Sequence, residues 1–208
     1  MFITLEGPDG SGKTKQMQPL ANSLKEKGYT VFTAREPGGT SIGDQVRTIL
    51  MNLENTSMRP RTETLLFCAA RAQLVEEVIR PHLELGEVVL LDRYADSTMA
   101  YQGYGHQDDL MLIKNLLDFA TGGLKPDLTL LLDVDPKVGL RRRVVGGDEW
   151  NRLDAYRLQY HQRVRQGYLQ MAAAEPARWR VIDASQPPNM VQSRIQEILL
   201  LYLSKLSN

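Results

Sequence analysis

The chain has 208 residues, which is enough to bury a sizeable core, and its length predicts one domain over residues 1–208. Its 25 basic and 25 acidic side chains give a formal net charge of zero, so it lacks the excess positive charge that is typical of proteins that bind nucleic acid or an anionic membrane. Cys68 is the only cysteine and cannot form an internal disulfide, and no apolar run is long enough to span a bilayer. Because no signal-peptide pattern is present either, these properties predict a protein of the cytoplasm.

Residues 7–14 match the phosphate-binding loop pattern G-x-x-x-x-G-K-[ST]. A short apolar run precedes this loop, and helical spacing of apolar residues follows it as far as Gly28, so the loop has the strand and helix that the motif needs. Its backbone N–H groups and the helix N-terminus favour a polyphosphate. Lys13 would contact the β- and γ-phosphates and the Thr14 hydroxyl would ligate Mg²⁺. The motif therefore predicts binding of a nucleoside triphosphate.

Five short apolar runs predict strands, at residues 2–5, 30–33, 87–91, 128–132 and 179–182. The segments between them show helical periodicity, most clearly at residues 41–53, 59–82, 157–174 and 190–206. Nearly continuous apolar strands suit a sheet that is covered on both faces. The pattern predicts an α/β fold with a five-stranded parallel sheet and helices on both faces, and ligands in such sheets bind at the carboxyl ends of the strands.

Residues after these strands supply candidates for a second binding site. Asp92 ends the third apolar run, where a carboxylate commonly holds Mg²⁺, although it is also a possible helix cap. Arg93 follows it and could bind a phosphate with two N–H donors. Phe67 and Arg71 are four residues apart on one helix face, which suits stacking and hydrogen bonding to a planar base. An ordinary core phenylalanine beside a surface arginine is the alternative for that pair.

Three arginines at residues 141–143 precede a glycine pair at 146–147, and further charged residues follow at 148–154. Such a run is either a solvated helix face or a mobile lid that closes on phosphates, and the residues alone do not decide between these interpretations. Asp135, which precedes a proline, is typical of a helix cap. The role of Asp133 stays open.

Several segments together resemble those of thymidylate kinases, and they occur along the chain in the order found in that family. They are residues 5–14, Arg-Glu-Pro-Gly-Gly-Thr at 35–40, Phe-Cys-Ala-Ala-Arg at 67–71, Asp-Arg-Tyr at 92–94 with Ser97 and Tyr101-Gln102, Pro126-Asp127, and Leu-Asp-Val at 132–134. The resemblance implies a P-loop nucleoside monophosphate kinase fold with a short mobile lid at about 141–154. It also implies transfer of the γ-phosphoryl group of ATP to dTMP with Mg²⁺, by a cytosolic homodimer.

The resemblance implies roles for individual residues. The ATP site would comprise Gly7, Pro8, Asp9, Gly10, Ser11, Gly12, Lys13, Thr14 and Arg141. The dTMP site would comprise Asp9, Arg35, Phe67, Arg71, Arg93, Ser97, Thr98, Tyr101 and Gln102. Thr14 and Asp92 would hold Mg²⁺, and Lys13, Arg93, Arg152 and Asp9 would act in catalysis. Within these sites Asp9 would touch the 3′-hydroxyl of the acceptor, and Tyr101 would occupy the space of a 2′-hydroxyl.

Two departures from the family pattern bear on the source of catalytic positive charge. The phosphate-binding loop has no basic residue at positions 8, 9 and 11, and the lid has valines at 144 and 145. We therefore expect a lid arginine to reach the transferred group, with Arg152 as the first candidate and Arg143 as the alternative. A solvated Arg152 paired with Asp148 or Glu149 is the competing interpretation.

Other functions fit the sequence less well. A kinase for a different acceptor is the nearest rival, but Arg35 and Arg93 together favour an acceptor that already carries a phosphate. A GTPase switch is disfavoured because the chain contains no Asn-Lys-x-Asp segment for guanine recognition.

Overall fold

The structure, a computed structural model, describes residues 1–146 and 151–206. It contains one all-parallel sheet in the order β2-β3-β1-β4-β5. The strands are β1 (Phe2–Glu6), β2 (Val31–Arg35), β3 (Val88–Asp92), β4 (Leu128–Asp133) and β5 (Trp179–Asp183). The predicted α/β fold with a five-stranded parallel sheet is confirmed. The sheet takes strands from residues 2 to 183, an arrangement that favours the predicted single domain.

Every strand extends one or two residues beyond the predicted apolar run and ends on a charged residue. These terminal residues are Glu6, Arg35, Asp92, Asp133 and Asp183. The apolar pattern missed them because their backbone still pairs in the sheet while their side chains carry charge. The fold therefore gathers charge at one edge of the sheet.

The α-helices are α1 (Lys13–Glu26), α2 (Ser41–Met51), α3 (Pro60–Leu74), α4 (Arg80–Glu84), α5 (Ala95–Thr98), α6 (Leu110–Thr121), α7 (Pro136–Gly146), α8 (Leu158–Ala174) and α9 (Pro188–Leu206). The predicted long helix at 59–82 is divided, because a π-helical turn at Val75–Ile79 separates α3 from α4. A second π-helical segment, Met99–Gly105, continues α5. The apolar pattern predicted no bounds for α5, for this segment or for α6.

The sheet is covered on both faces, as predicted. One face packs against α1 and α9 through alternate residues of the central strands, including Ile3, Leu5, Leu130 and Leu132. The other face is covered by three smaller apolar clusters, which lie under α3 to α4, under α6 and under α8. Side chains of a strand alternate between faces, so the buried Glu6 shares its face with Phe2 and Thr4. Its carboxylate thus points towards α5 and α8.

The phosphate-binding loop lies between β1 and α1, at the centre of the sheet, and it packs closely on α7. Gly10 has φ +72°, and a Cβ atom there would lie 2.0 Å from the carbonyl oxygen of Gly139. In turn, a Cβ on Gly139 would lie 2.2 Å from the carbonyl oxygen of Asp9. Both glycines are needed for this close approach of backbones. The contact joins the loop to the helix from which the predicted lid begins.

The open question of Asp133 is answered by its contacts. Both of its carboxylate oxygens accept hydrogen bonds from Arg165 on α8, at 2.7 and 2.8 Å. Asp133 therefore forms an ion pair that fixes α8 against β4. Within residues 1–146 and 151–206, no helix is both long and apolar enough to cross a membrane.

Candidate active site

A cavity of about 1150 Å³ opens at the carboxyl ends of the strands. Most of the predicted site residues line it: Asp9, Gly10, Ser11, Gly12, Lys13, Thr14, Arg35, Phe67, Arg71, Asp92, Arg93, Ser97, Thr98, Tyr101, Gln102 and Arg141. Gly7 and Pro8 lie in the loop just behind this lining, where their carbonyl oxygens bind Lys13. Arg152 does not line the cavity. The fold thus joins segments that are far apart in the sequence at one edge of the sheet.

Lys13 is folded back onto its own loop. Its Nζ donates hydrogen bonds to the carbonyl oxygens of Gly7 (2.9 Å) and Pro8 (3.0 Å) and to Oγ of Ser11 (3.3 Å). Burial, reinforced by the nearby Arg93 guanidinium, lowers the pKa of Lys13 from 10.5 to about 8. A polyphosphate bound in the loop would place negative charge next to this ammonium group and stabilise its protonated form.

Thr14 and Asp92 are brought together, although 78 residues separate them. The Thr14 hydroxyl donates to Oδ2 of Asp92 at 2.7 Å. A hydroxyl and a carboxylate are the hard oxygen ligands that Mg²⁺ prefers when phosphate oxygens and water complete its shell. Among the described residues, no group of three or more His, Cys, Asp or Glu side chains could hold a metal ion. The pair therefore fits Mg²⁺ that arrives with a nucleotide.

Arg93 and Asp9 form a partly buried ion pair in the middle of the cavity. Nη2 of Arg93 donates to Oδ1 of Asp9 at 2.5 Å, and the Tyr101 hydroxyl donates to the other oxygen at 2.7 Å. Burial raises the pKa of Asp9, but the charges of Arg93 and Lys13 outweigh it and lower that pKa to about 2. Asp9 is therefore ionised at neutral pH and sits between the two predicted phosphate sites.

Arg47 on α2 is a further candidate site residue that was not predicted from the sequence. It lines the cavity and donates to the carbonyl oxygen of Pro37 at 2.9 Å. Burial, followed by the charges of Arg35 and Arg93, lowers its pKa. Three arginines thus face one part of the cavity, which attracts an anion. Helical spacing contained the signal, since Arg47 lies one turn after the buried Gly43, on the side of α2 that meets the 37–39 turn.

Phe67 and Arg71 both line the cavity, and Arg71 is buried there rather than being the surface arginine of the alternative interpretation. Arg71 is only 1% exposed and its guanidinium is held in place. Nε and Nη2 donate to Glu36 at 2.8 and 2.6 Å, and Nη1 donates to the Thr98 hydroxyl at 3.0 Å. Glu36 was not singled out from the sequence, although it belongs to the 35–40 segment that carried the resemblance.

A second buried carboxylate, Glu6, holds the start of α5. It accepts hydrogen bonds from the backbone N–H of Tyr94, the Ser97 hydroxyl and the Tyr168 hydroxyl, at 2.7, 2.6 and 2.8 Å. Burial, assisted by the negative charge of Asp96, raises the pKa of Glu6 to about 7. Glu6 therefore joins β1, α5 and α8 directly beneath Arg93.

Arg152 was expected to reach the transferred group, but in the structure its side chain contacts the end of α2 and the start of α3. Its Nη2 donates to Oε2 of the buried Glu63 at 2.5 Å, and its Nε donates to the carbonyl oxygen of Leu50 at 3.0 Å. The competing partners, Asp148 and Glu149, lie outside the described residues, as do 147 and 150 of the predicted lid. Removing Arg152 from Glu63 would leave a buried carboxylate uncompensated, at a cost of about 3–5 kcal/mol. In this position Arg152 anchors the segment after the lid.

Arg143, the alternative candidate for the lid arginine, lies near the end of α7. It lines the cavity, and its charge contributes to the lowered pKa of Asp9. Nη2 of Arg143 donates to Oδ2 of Asp154 at 2.8 Å.

The adenine end predicted near Arg141 and the loop after Asp183 is also part of the cavity. Ser185, Gln186 and Pro187 from that loop line it. Arg142 joins the loop to α7, because it donates to the carbonyl oxygens of Ala184 and Ser185 at 2.7 and 3.0 Å.

Comparison with known proteins gives consistent results. The family model described as Thymidylate kinase matches residues 5–195. A thymidylate kinase from Roseiflexus castenholzii is 51% identical, over 99% of this chain and 95% of the relative, and one from Deinococcus radiodurans is 48% identical over 94% of each. The crystal structure of thymidylate kinase from Ehrlichia chaffeensis is similar with a TM-score of 0.77 and 35% identity, covering 96% of this chain and 98% of that one.

The lowered pKa of Lys13 predicts pH-dependent nucleotide binding. Phosphates bind the protonated ammonium group, so binding requires uptake of a proton once the pH exceeds the pKa of about 8 in the free protein. We expect the affinity for Mg-ATP to be level just below that pH and to fall about tenfold for each further pH unit. Calorimetric titration in buffers of different ionisation enthalpy should detect the proton uptake. The Lys13→Met variant should bind more weakly and without this slope, and a wild-type affinity that stays level to about pH 9.5 would contradict the prediction.

Proposed function

The chain belongs to the thymidylate kinase family and phosphorylates dTMP to dTDP with ATP as donor, and on this premise we propose how its cavity performs the reaction. The proposal rests mainly on one observation. The phosphate-binding loop lies at one end of a single cavity, and three arginines with a base-sized pocket lie at the other. Two nucleotides bound at these ends would meet at their phosphates.

At the donor end, ATP binds along residues 7–14 with its adenine between Arg141 and the loop after β5. Lys13 leaves the carbonyl oxygens that it now contacts and binds the β- and γ-phosphates. Thymidylate kinases generally use Mg-ATP, and Thr14 and Asp92 are the residues that would hold the ion here. Bound Mg²⁺ neutralises the charge that develops on the phosphates.

At the acceptor end, the phosphate of dTMP binds among Arg35, Arg47 and Arg93. The second ionisation of a phosphate monoester has a pKa near 6, so its attacking oxygen needs no general base at neutral pH. The arginines orient this oxygen towards the γ-phosphorus, and ADP leaves as the new P–O bond forms. Catalysis then depends on positioning and on stabilisation of negative charge.

The rest of dTMP occupies the pocket under α3 and α5. Phe67 stacks on thymine, Arg71 donates to its carbonyl oxygen, and Ser97, Thr98 and Gln102 surround the base. Asp9 accepts a hydrogen bond from the 3′-hydroxyl, while the Tyr101 ring fills the space of a 2′-hydroxyl. The observed bond between Tyr101 and Asp9 fixes the ring in that position and thereby favours deoxyribose.

We assign the catalytic lid arginine to Arg143 rather than Arg152. Arg143 lines the cavity together with the phosphate-binding loop, whereas Arg152 does not line it. Each arginine now pairs with a carboxylate, Arg143 with Asp154 and Arg152 with Glu63, so Arg143 would have to leave Asp154 to reach the transferred group. A cation that approaches the transferred group contributes roughly 10³–10⁵ in rate. This charge is needed because residues 8, 9 and 11 of the loop are not basic.

We also propose that the protein is a homodimer of the cytosol, formed through α2, α3 and α6. These neighbouring helices expose large apolar side chains: Ile42, Ile49, Leu65, Met111, Leu112 and Phe119. Phe119 is 87% exposed. An apolar surface of this kind commonly marks a protein interface. Twofold pairing of α3 and α6 would bury it without covering the cavity edge of the sheet.

Substitution of Arg47 tests the acceptor end. We expect Arg47→Ala to raise the KM for dTMP about 10- to 100-fold, because a charge-assisted contact with the phosphate is lost. The KM for ATP should change little. Steady-state kinetics with each substrate varied in turn will measure this, with the exposed Arg194→Ala as the matched control. A KM for dTMP within about twofold of wild type would remove Arg47 from the site.

Paired substitutions distinguish the two lid arginines. Arg143→Ala should lower kcat by at least ~10²-fold with smaller changes in either KM, because its contact forms in the closed complex. Arg152→Ala should lower the thermal stability but leave kcat close to that of the wild type, because it removes the arginine partner of the buried Glu63 and lies outside the cavity lining. Both kcat and the melting temperature should be measured for each variant. The reverse pattern, with normal turnover in Arg143→Ala, would return the catalytic role to Arg152.

A charged substitution tests the dimer. Phe119→Glu should convert the dimer into a monomer, because a carboxylate buried at the interface has no partner there. Sedimentation velocity at micromolar concentration will measure the change. Leu200→Glu on α9 is the control, since Leu200 is also exposed but lies on the opposite face of the sheet. A monomeric wild-type protein, or a Phe119→Glu variant that remains dimeric, would refute the proposed interface.

A further inference from the structure

The amide of Gln102 has two chemically different ends, and its orientation determines which base edge the pocket accepts. Gln102 lines the cavity and is 1% exposed. Its Nε2 donates to Oε1 of Glu63 at 2.8 Å. Among the described residues, Oε1 of Gln102 has no hydrogen-bond partner. The carbonyl end of the amide is therefore the end left for a ligand.

Helix α3 places Glu63 where its carboxylate binds the NH₂ end of the Gln102 amide. Glu63 lies four residues before Phe67 and eight before Arg71, so the three side chains share one face of the helix. Its carboxylate is 1% exposed and its two oxygens have separate partners. Oε1 accepts from Gln102 and from Nε2 of His106, at 2.8 and 3.0 Å.

The second oxygen of Glu63 faces away from Gln102. Oε2 accepts from Arg152 at 2.5 Å and from the Tyr156 hydroxyl at 3.2 Å. Burial raises the pKa of Glu63, but the His106 hydrogen bond and the Arg152 charge outweigh it and lower that pKa below its ordinary value. Glu63 is therefore a carboxylate at neutral pH. A carboxylate only accepts hydrogen bonds, so it selects the NH₂ end of the Gln102 amide.

The neighbouring Arg71 supplies the complementary group. A guanidinium has five N–H donors, and Glu36, Thr98 and the carbonyl oxygen of Tyr94 take four of those of Arg71. Among the described residues, one N–H on Nη1 is left without a partner. Thr98, which binds this Nη1, lies one helical turn before Gln102. The pocket therefore offers one donor beside one acceptor.

This pair matches a base edge that has a carbonyl oxygen next to a ring N–H, as thymine does at O4 and N3. Cytosine presents the reverse order, an amino group next to an unprotonated ring nitrogen. A Gln102 amide rotated by half a turn would favour the cytosine ring nitrogen instead. The amide orientation thus separates the two pyrimidines.

We propose that Glu63 is a positioning residue that fixes the Gln102 amide with its carbonyl oxygen towards the base, and that it thereby excludes cytosine nucleotides from the acceptor site. This inference rests on the proposed binding of the thymine base beside Phe67, Arg71 and Gln102. Glu63 itself does not touch the base.

The test compares the kcat/KM values for dTMP and dCMP in Glu63→Gln and in Tyr156→Phe. Glu63→Gln keeps the size of the side chain but can donate as well as accept, so the Gln102 amide is free to rotate. We expect the ratio of dTMP to dCMP kcat/KM to fall by at least ~10-fold, mainly through a higher KM for dTMP and a lower KM for dCMP. Tyr156→Phe removes a donor from Oε2 only, so it should leave the ratio unchanged.

A merely structural role for Glu63 would lower the melting temperature in Glu63→Gln and leave the ratio within about twofold of wild type, and that result would overturn the proposal. A Gln102→Leu variant separates this failure from failure of the base site itself. If Gln102→Leu leaves the KM for dTMP unchanged, then the base does not bind where proposed. If it raises that KM while Glu63→Gln keeps the ratio, then only the role of Glu63 is wrong.

A double variant covers the case in which Glu63→Gln does not fold. The exchange Glu63→Gln with Gln102→Glu retains one carboxylate and one amide in the same contact, and position 102 still presents an acceptor to the base. The dTMP to dCMP ratio should then equal or exceed that of the wild type. A ratio lowered by ~10-fold or more would overturn the proposal.

Discussion

Buried carboxylates that pair with cationic or N–H donors are the constraint on which the geometry of this site depends. A charge removed from water is costly unless it is paired and hydrogen-bonded, so each carboxylate restricts its partners to few orientations. Glu36 orients Arg71, Asp9 orients Arg93, and Glu63 orients Gln102 and Arg152. The donors and acceptors proposed to meet the acceptor nucleotide are consequently in place before it binds.

The parallel sheet explains why these groups meet at one edge. Each strand ends on a charged residue, and in a parallel sheet all carboxyl ends lie on the same side. β1 lies at the centre, so the phosphate-binding loop that follows it is flanked by β3 with Asp92 and Arg93 and by β4 with α7. The close contact between Gly10 and Gly139 then ties the loop to the helix that carries Arg143. A displacement of α7 would therefore also displace the phosphate-binding loop.

The arginines differ in function although they look alike in the sequence. Arg47 lies near Arg35 and Arg93, and within residues 1–146 and 151–206 neither Arg35 nor Arg47 forms an ion pair, which makes this end of the cavity attractive to a phosphate. Arg165 and Arg152 are neutralised by Asp133 and Glu63 and stabilise the fold. Arg71 and Arg93 are also paired with carboxylates, so the proposed binding arginines differ from the structural ones in that they line the cavity.

Local pattern was sufficient for the strands and for the phosphate-binding loop, because each depends on residues only a few positions apart, whereas the spacing of Phe67 and Arg71 left their role open. The resemblance of several such segments to one family was confirmed on the same basis. The partner of each charged side chain was not predictable in this way. Arg152 meets Glu63 across 89 residues of sequence, and Glu63 meets Gln102 across 39. Such contacts depend on how helices pack against the sheet. The sequence by itself therefore determined the family and the fold and predicted candidate site residues, while packing between distant segments decided which of these side chains line the cavity and which are held in ion pairs.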